Sequence, residues 1–292
     1  MLLWRFLKLV KNAVWRAFEH DAFGVAKGAA YSSIITFFPA LVLAAGIFAT
    51  AHGDLDYIHA ASLLVARIMP PGTASTVRSY FESAQQRPVR ILFFASLVTL
   101  WTASGVMMSW MVAFRSAYQL PKTWGIIKER LVAFGLVIMA GIPMTFATIL
   151  VAFGNQIETR LTGNAGSLGP LVLLAWTGMR WVIALATSVA VMALIYHNAV
   201  PRTQRWHSVL PGAGLATAVW FPATIGFGWY VRHFAEYSLY YGSLATAIVL
   251  LVWMYIVSII VMIGAEFNAQ LYPRVVTEMP KTAAPAARLQ AR

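Results

Sequence analysis

The sequence predicts an all-α, polytopic membrane bundle of six transmembrane helices, and three observations carry that prediction. First, seven stretches of about 19 to 29 residues hold no Asp, Glu, Lys or Arg. They lie between Lys27 and Asp54, Arg90 and Arg115, Arg130 and Glu158, Arg160 and Arg180, Arg180 and Arg202, Arg205 and Arg232, and Glu236 and Glu266. A helix rising 1.5 Å per residue crosses a hydrocarbon core of about 30 Å in roughly 20 residues. Second, the chain is 60% hydrophobic and 11% charged, where soluble proteins carry about 25% charged residues. Third, the runs are uniformly apolar. Barrel strands would alternate apolar and polar residues over about 10 positions.

The elements follow in chain order. Residues Leu2 to Phe18 predict an amphipathic helix lying on the membrane: Leu3, Phe6, Val10, Val14 and Phe18 recur at helical spacing, with Trp4 and Trp15 as interfacial aromatics. Arg5, Lys8, Lys11 and Arg16 give it a basic face suited to anionic headgroups. The same charges interrupt any signal-peptide core, so a cleavable signal is not expected. The spans are Gly28–Ala51, Ile91–Phe114, Leu131–Phe153, Pro170–Tyr196, Val209–Val231 and Gly242–Leu271. The fourth absorbs two charge-free runs, because the Gly163–Gly169 segment reads as a loop and Arg180 then falls inside the span.

Six spans put both termini on one side. The segments on that side hold fifteen Lys and Arg: those before Gly28, in Arg115–Arg130, in Arg202–Arg205 and after Leu271. The other side holds six: Arg67, Arg78, Arg87, Arg90, Arg160 and Arg232. The positive-inside rule predicts cytoplasmic termini. This bias accounts for the net charge of +12 without nucleic acid.

Residues 1–272 thus read as one transmembrane domain, with 1–27 the interfacial helix and 52–90 an extracytoplasmic helical loop. That loop divides at Pro70-Pro71-Gly72 and is either a static cap or a mobile lid. Residues 273–292, rich in Pro, Ala and basic residues, predict a disordered cytoplasmic tail. No internal repeat is evident.

Several residues could carry function. Arg180 lies about 10 residues past Pro170, roughly 15 Å into the membrane. A charge at that depth faces a partner or a cavity. It is either a structural Arg satisfied by carbonyls and hydroxyls or an anion site, with Trp176 and Thr177 one turn away. Tyr31, Ser33, Thr102 and Ser104 belong to polar clusters on the first two spans that serve either helix packing or a polar pathway. Pro39, Pro143 and Pro222 each lie about 11 to 13 residues from the cytoplasmic start of an outward-running span, near mid-bilayer by the helical rise, and predict bends or hydrogen-bond gaps. Glu266 and Asn268 are structural or coupling candidates near the cytoplasmic end of the last span. Lys27, Arg115 or a helix N-terminus is the expected partner of Glu266.

His52, Asp54, Asp56 and His59 lack any recognised metal spacing, and acidic residues at a helix start usually cap it, so no metal and no cofactor is expected. The chain has no Cys, and it carries no Walker loop, dinucleotide fingerprint or nucleophile elbow. An enzyme is therefore not expected.

The motifs themselves resemble a known family. Ala29-Ala30-Tyr31-Ser32-Ser33-Ile34-Ile35-Thr36-Phe37-Phe38-Pro39 resembles the first-span signature of the YihY/BrkB family of bacterial inner-membrane proteins. Trp101-Thr102-Ala103-Ser104-Gly105 resembles its second-span motif. Arg180-Trp181 and Tyr196 with Pro201 resemble its fourth span. Tyr241-Gly242-Ser243-Leu244 and Gly264-Ala265-Glu266-Phe267-Asn268 resemble its last. Thr36 stands where the family usually has Ser, which keeps the hydroxyl.

The resemblance implies six spans in the inner membrane without a settled activity. Members were once labelled ribonuclease BN, one branch is called a serum-resistance factor, and others are linked to envelope lipid homeostasis. The first expectation is lipid handling or transport, with an anionic phospholipid or related phosphate-bearing lipid as partner and Arg180 as its anion site. The alternative is a non-transporting envelope scaffold. The sequence leaves room for a homo-oligomer.

Overall fold

The computed structural model describes residues 2–52, 89–162, 169–201, 204–234 and 243–272. The loop helices, the His52–His59 group beyond its first residue and the 273–292 tail lie outside them. The described residues form α1 (Leu2–Glu19), α2 (Ala22–His52), α3 (Val89–Ala117), α4 (Ile126–Thr162), α5 (Gly169–Asn198), α6 (Trp206–Phe234) and α7 (Ser243–Leu271). Six of them, α2 to α7, are long and apolar enough to cross a membrane. The protein is a multi-pass helical membrane protein.

Each helix overlaps its expected span, but several begin or end outside the apolar run. α4 starts at Ile126, not Leu131, and so carries Lys128, Glu129 and Arg130 in its first turns. Hydropathy marks where a helix meets hydrocarbon, while the helix itself continues into the headgroup zone. No break interrupts α2 at Pro39, α4 at Pro143 or α6 at Pro211 and Pro222. Pro39 and Pro143 are each 17 residues beyond the first residue of their helix, and Pro222 is 16. Counted along its own helix, each lies roughly 25 Å from that helix's first residue.

α2 to α7 close into a ring, each packed on the next in chain order, with α7 returning to α2 and also touching α3. α1 lies against α7 and α2. α7 is the most enclosed span, with 39% of its apolar stretch buried. Apolar area drives no association inside lipid, so helices approach where side chains are small. Ala13 and Ala17 dock α1, and Ala22, Ala26 and Ala29 line the buried face of α2. Gly105 of α3 meets Ser32 of α2, where an added Cβ would lie 3.1 Å from the Ser32 hydroxyl. The core concentrates at the α1 end around Phe114 and Tyr196, whose rings meet edge-on at 5.1 Å.

Large side chains such as Phe94, Ile142, Phe146, Leu174 and Ile225 point outward, as lipid-facing residues should. α1 behaves likewise. Its small residues face the bundle, while Trp4, Trp15 and Phe18 are about two-thirds exposed. This suits a helix lying at an interface.

Candidate functional site

Two regions emerge: a buried arginine with neighbouring cavities, and a knot of polar contacts at the α1 end. Arg180 lies within one uninterrupted helix, α5, and only 8% of it is exposed. It sits 11 residues, or roughly 16 Å, along the helix from its first residue, Gly169. Trp176 and Thr177, one turn earlier, are half-buried.

Two turns further along α5, Ser188, Val191 and Met192 line a cavity of about 270 Å³ closed by Thr217, Trp253 and Val257 of α6 and α7. A second cavity of about 450 Å³ lies between the α1-end halves of α4 and α5, reaching from Trp124 and Leu136 to His197 and Asn198. A third, of about 280 Å³, has Lys27, Ala30 and Tyr255 in its wall. Arg180 lines none of the three.

Most of the polar residues of the first two spans are engaged within their own helices. Ser33 donates to Ala29 O at 2.8 Å and Thr36 to Ser32 O at 2.7 Å. Thr102 donates to Val98 O at 2.8 Å, and Ser104, fully buried, to Trp101 O at 2.6 Å. Returning the hydroxyl to the preceding turn satisfies it within its own helix. Tyr31 points outward, 64% exposed.

The α1-end knot is built on α7. Asn268 is fully buried and clamps α6: the Gly212 N–H donates to its Oδ1 at 2.6 Å, and its Nδ2 donates to Val209 O at 3.0 Å. The clamp embraces the turn holding Pro211, which has no N–H of its own. Gly212 and Gly264 allow the close approach. A Cβ on Gly212 would fall on the Gly264 carbonyl and within 2.5 Å of the Asn268 amide. Tyr196 ties α5 to α7, donating to Val261 O at 2.7 Å.

The partner of Glu266 differs from the expected Lys27, Arg115 or helix N-terminus. Its Oε1 lies 2.7 Å from His20 Nδ1, in the turn between α1 and α2. Arg115 instead pairs with Glu129 across the α3–α4 connection, and Lys122 adds a contact at 3.7 Å. Arg115 thus serves the acidic residue in the first turn of α4, and Glu266 is left to the α1 side, where Ser116 also reaches His20 O at 3.5 Å.

Sequence reasoning passed over Arg130. Its guanidinium stacks 4.1 Å from the Trp101 ring centroid and 5.7 Å from that of Phe134, and Nη1 lies 3.0 Å from Met108 Sδ. The one sequence signal was Trp101, an aromatic inside an apolar run and beside the hydroxyl motif.

Comparison with known proteins supplies the remaining finding. The family model described as virulence factor BrkB matches residues 13–289. A Bacillus subtilis protein named as ribonuclease-like, YfkH, is 27% identical over 92% of this chain and 96% of its own length. A UPF0761 membrane protein of Rhodospirillum centenum is 24% identical over 90% of this chain, and the match spans 57% of that relative. A UPF0761 membrane protein of Xanthomonas axonopodis is 24% identical over 88% of this chain and 60% of its own length. No solved structure matches.

Proposed function

The chain belongs to the BrkB virulence-factor family, and from that premise we propose that it handles lipid in the bacterial cytoplasmic membrane, with both termini in the cytoplasm. The observation carrying this reading is Arg180, buried to 8% exposure inside an apolar span. Even the lower insertion scale charges about 2.5 to 3.5 kcal/mol for Arg at a helix centre, so the residue is retained against a cost. A guanidinium offers a planar fork that matches a phosphate. The apolar cavity of about 270 Å³ two turns along the same helix gives space for a hydrocarbon group. A phosphate-bearing anionic lipid satisfies both features. Trp176 and Thr177, one turn earlier on the same helix, are candidates to assist.

The test is native mass spectrometry of copurified lipid, paired with complementation of a deletion strain. Arg180→Lys should keep the charge, lose the fork and weaken lipid association. Arg180→Leu should fold as well as the wild type and lose both lipid and function. Full lipid retention and full complementation by Arg180→Leu would show that Arg180 is a structural residue and not the anion site.

A wild type that copurifies no lipid would leave the scaffold alternative. What favours it is the α1-end packing, where the first-span hydroxyls serve their own helices and Asn268 and Tyr196 join helices. Among the described residues no three His, Asp or Glu side chains gather in a way that could hold a metal ion.

A further inference from the structure

We propose that the cavity between the α1-end halves of α4 and α5 is a lipid-loading site, which takes a phosphate-bearing headgroup at its mouth and the attached chain along α4. This deepens the lipid-handling reading and rests on it for the class of occupant.

At about 450 Å³, the cavity is the largest of the three described. A water molecule's share of liquid volume is about 30 Å³, so the space suits roughly fifteen such groups: a glycerophosphate head and the first part of a chain. Its wall on α4 is a single stripe, Val132, Leu136 and Met139, at i, i+4 and i+7. Leu136 is 1% exposed and Met139 47%, so the stripe runs from the bundle interior to its flank. A chain can therefore lie along it and still reach the surrounding lipid.

The mouth has the opposite chemistry. His197 lines it, and its imidazole is held flat against Trp206, with centroids 4.4 Å apart and planes 13° from parallel. Asn198 spends its amide nitrogen on Leu194 O at 2.9 Å, which leaves its carbonyl oxygen for a headgroup hydroxyl or ammonium. Trp124 lines the mouth, and the Lys128 ammonium stands 5.5 Å from its ring centroid. α4 begins two residues after Trp124. Glu129 N bonds to Gly125 O, so the N–H groups of Ile126, Ile127 and Lys128 precede that bond and leave the helix's positive end near the mouth. The one acidic group in that turn, Glu129, is already occupied by Arg115 and Lys122. Cation, helix end and imidazole all favour an anion, and the stripe favours a hydrocarbon chain joined to it.

Gly135 makes the idea testable without damage to the fold. It lines the cavity, and a Cβ built on it meets no atom within 4 Å. A side chain there would enter the void and not a neighbouring helix.

The experiment uses the full chain in nanodiscs containing phosphatidylglycerol with a diazirine near the glycerol end of one chain. After illumination, adducts are mapped by peptide mass spectrometry. The wild type should label peptides covering residues 132–139 and 197–200 in preference to other lipid-facing helices. Gly135→Phe should cut that labelling at least roughly fivefold with unchanged thermal stability. His197→Phe keeps the stack on Trp206 but loses the ring nitrogens. It and Lys128→Gln, at an exposed position, should each cut labelling roughly threefold to tenfold, the loss expected for one hydrogen bond of about 0.5–1.5 kcal/mol.

Millimolar glycerol 3-phosphate separates the two phosphate sources. Displacement of the labelled lipid by it is expected of a headgroup site, whereas binding of it with no lipid labelling of these peptides in its absence would mean a free-phosphate site and overturn the lipid proposal. Labelling that is even across all helices, or unchanged in Gly135→Phe, His197→Phe and Lys128→Gln, would also overturn it. Arg180→Leu distinguishes this proposal from the reading beneath it. Retained lipid and complementation in Arg180→Leu, with labelling still abolished by Gly135→Phe, would sink the Arg180 role and leave the loading site standing.

Discussion

Replacing Gly212 by Ala tests whether the α6–α7 joint is as tight as its geometry requires. The new Cβ would land on the Gly264 backbone carbonyl and within 2.5 Å of the Asn268 amide. Backbone cannot rotate away as a side chain can, so the helices must part or the amide must leave. Overpacking of a tight core costs about 1–3 kcal/mol. Displacing Asn268 forfeits its bonds to Gly212 N and Val209 O, each worth about 0.6 kcal/mol on average inside a membrane. Against this, Ala improves on Gly in a helix by about 0.5–1 kcal/mol. The net is a loss of about 1–4 kcal/mol.

Gly214, two residues along the same helix, is the internal control, because its Cβ would meet nothing within 4 Å. Gly214→Ala should be neutral or stabilising by up to about 1 kcal/mol. The assay is reversible unfolding by sodium dodecyl sulfate in mixed lipid–detergent micelles, followed by helical circular dichroism. The two variants should differ by about 2 kcal/mol or more, from the terms above. Equal stability of Gly212→Ala and Gly214→Ala would refute the close-approach argument.

Glu266→Leu should release α1. It removes the 2.7 Å contact to His20, whose side chain is 22% exposed and can turn to water, so the loss should sit near the lower end of about 1–3 kcal/mol. Tryptic cleavage after Lys11 or Arg16 should then speed up roughly fivefold, with Glu266→Gln intermediate. Unchanged cleavage would show that α1 is held by Ala13 and Ala17 alone. Because the chain has no Cys, single cysteines can report topology cleanly: Lys122→Cys and Arg205→Cys should react only from the cytoplasmic side and Ser75→Cys only from the other. Labelling of Ser75→Cys solely from the cytoplasm would reverse the charge-bias argument.

The spans were legible because lipid excludes charge, a constraint each residue obeys independently of its partners. Arg180 was legible for the same reason: an exception to the exclusion stands out, and burial follows from its cost. The contacts were not legible, because they depend on which helices adjoin. Ser33, Thr36, Thr102 and Ser104 look like a polar surface in sequence, yet each satisfies itself within one turn of its own helix. Tyr31 sits inside the same signature and points outward, since the face of a helix that meets its neighbour is set by small residues such as Ala29 and Gly105. Glu266 found His20 because α1 folds back onto α7, and no periodicity in α1 announces that turn. Asn268 and Gly264 were visible as a motif, but their work on the Pro211 turn needs Gly212, more than 50 residues away in the chain.

The distribution of these contacts bears on where such a bundle could open. The last turns of α7 hold α6 through Asn268, α5 through Tyr196 and the α1–α2 turn through Glu266. A movement parting α7 from any of them at this end would expose buried polar groups to lipid, each at a cost of roughly 1–3 kcal/mol. The α4–α5 seam differs. Gly135 faces open space, Met139 is nearly half exposed, and the cavity between the two helices is walled mainly by flexible or small side chains. Separating these helices further breaks none of the hydrogen bonds that hold α7. Under the proposed lipid-handling reading, a path along α4 and α5 would leave the hydrogen bonds of α7 intact, and this seam leads along α5 toward Arg180. Cross-linking tests the point: a disulfide between α6 and α7 at the α1 end should leave lipid association intact, whereas one that pins α4 to α5 across the cavity should abolish it. The reverse pattern would place the moving element at α7 and remove the argument for the α4–α5 route.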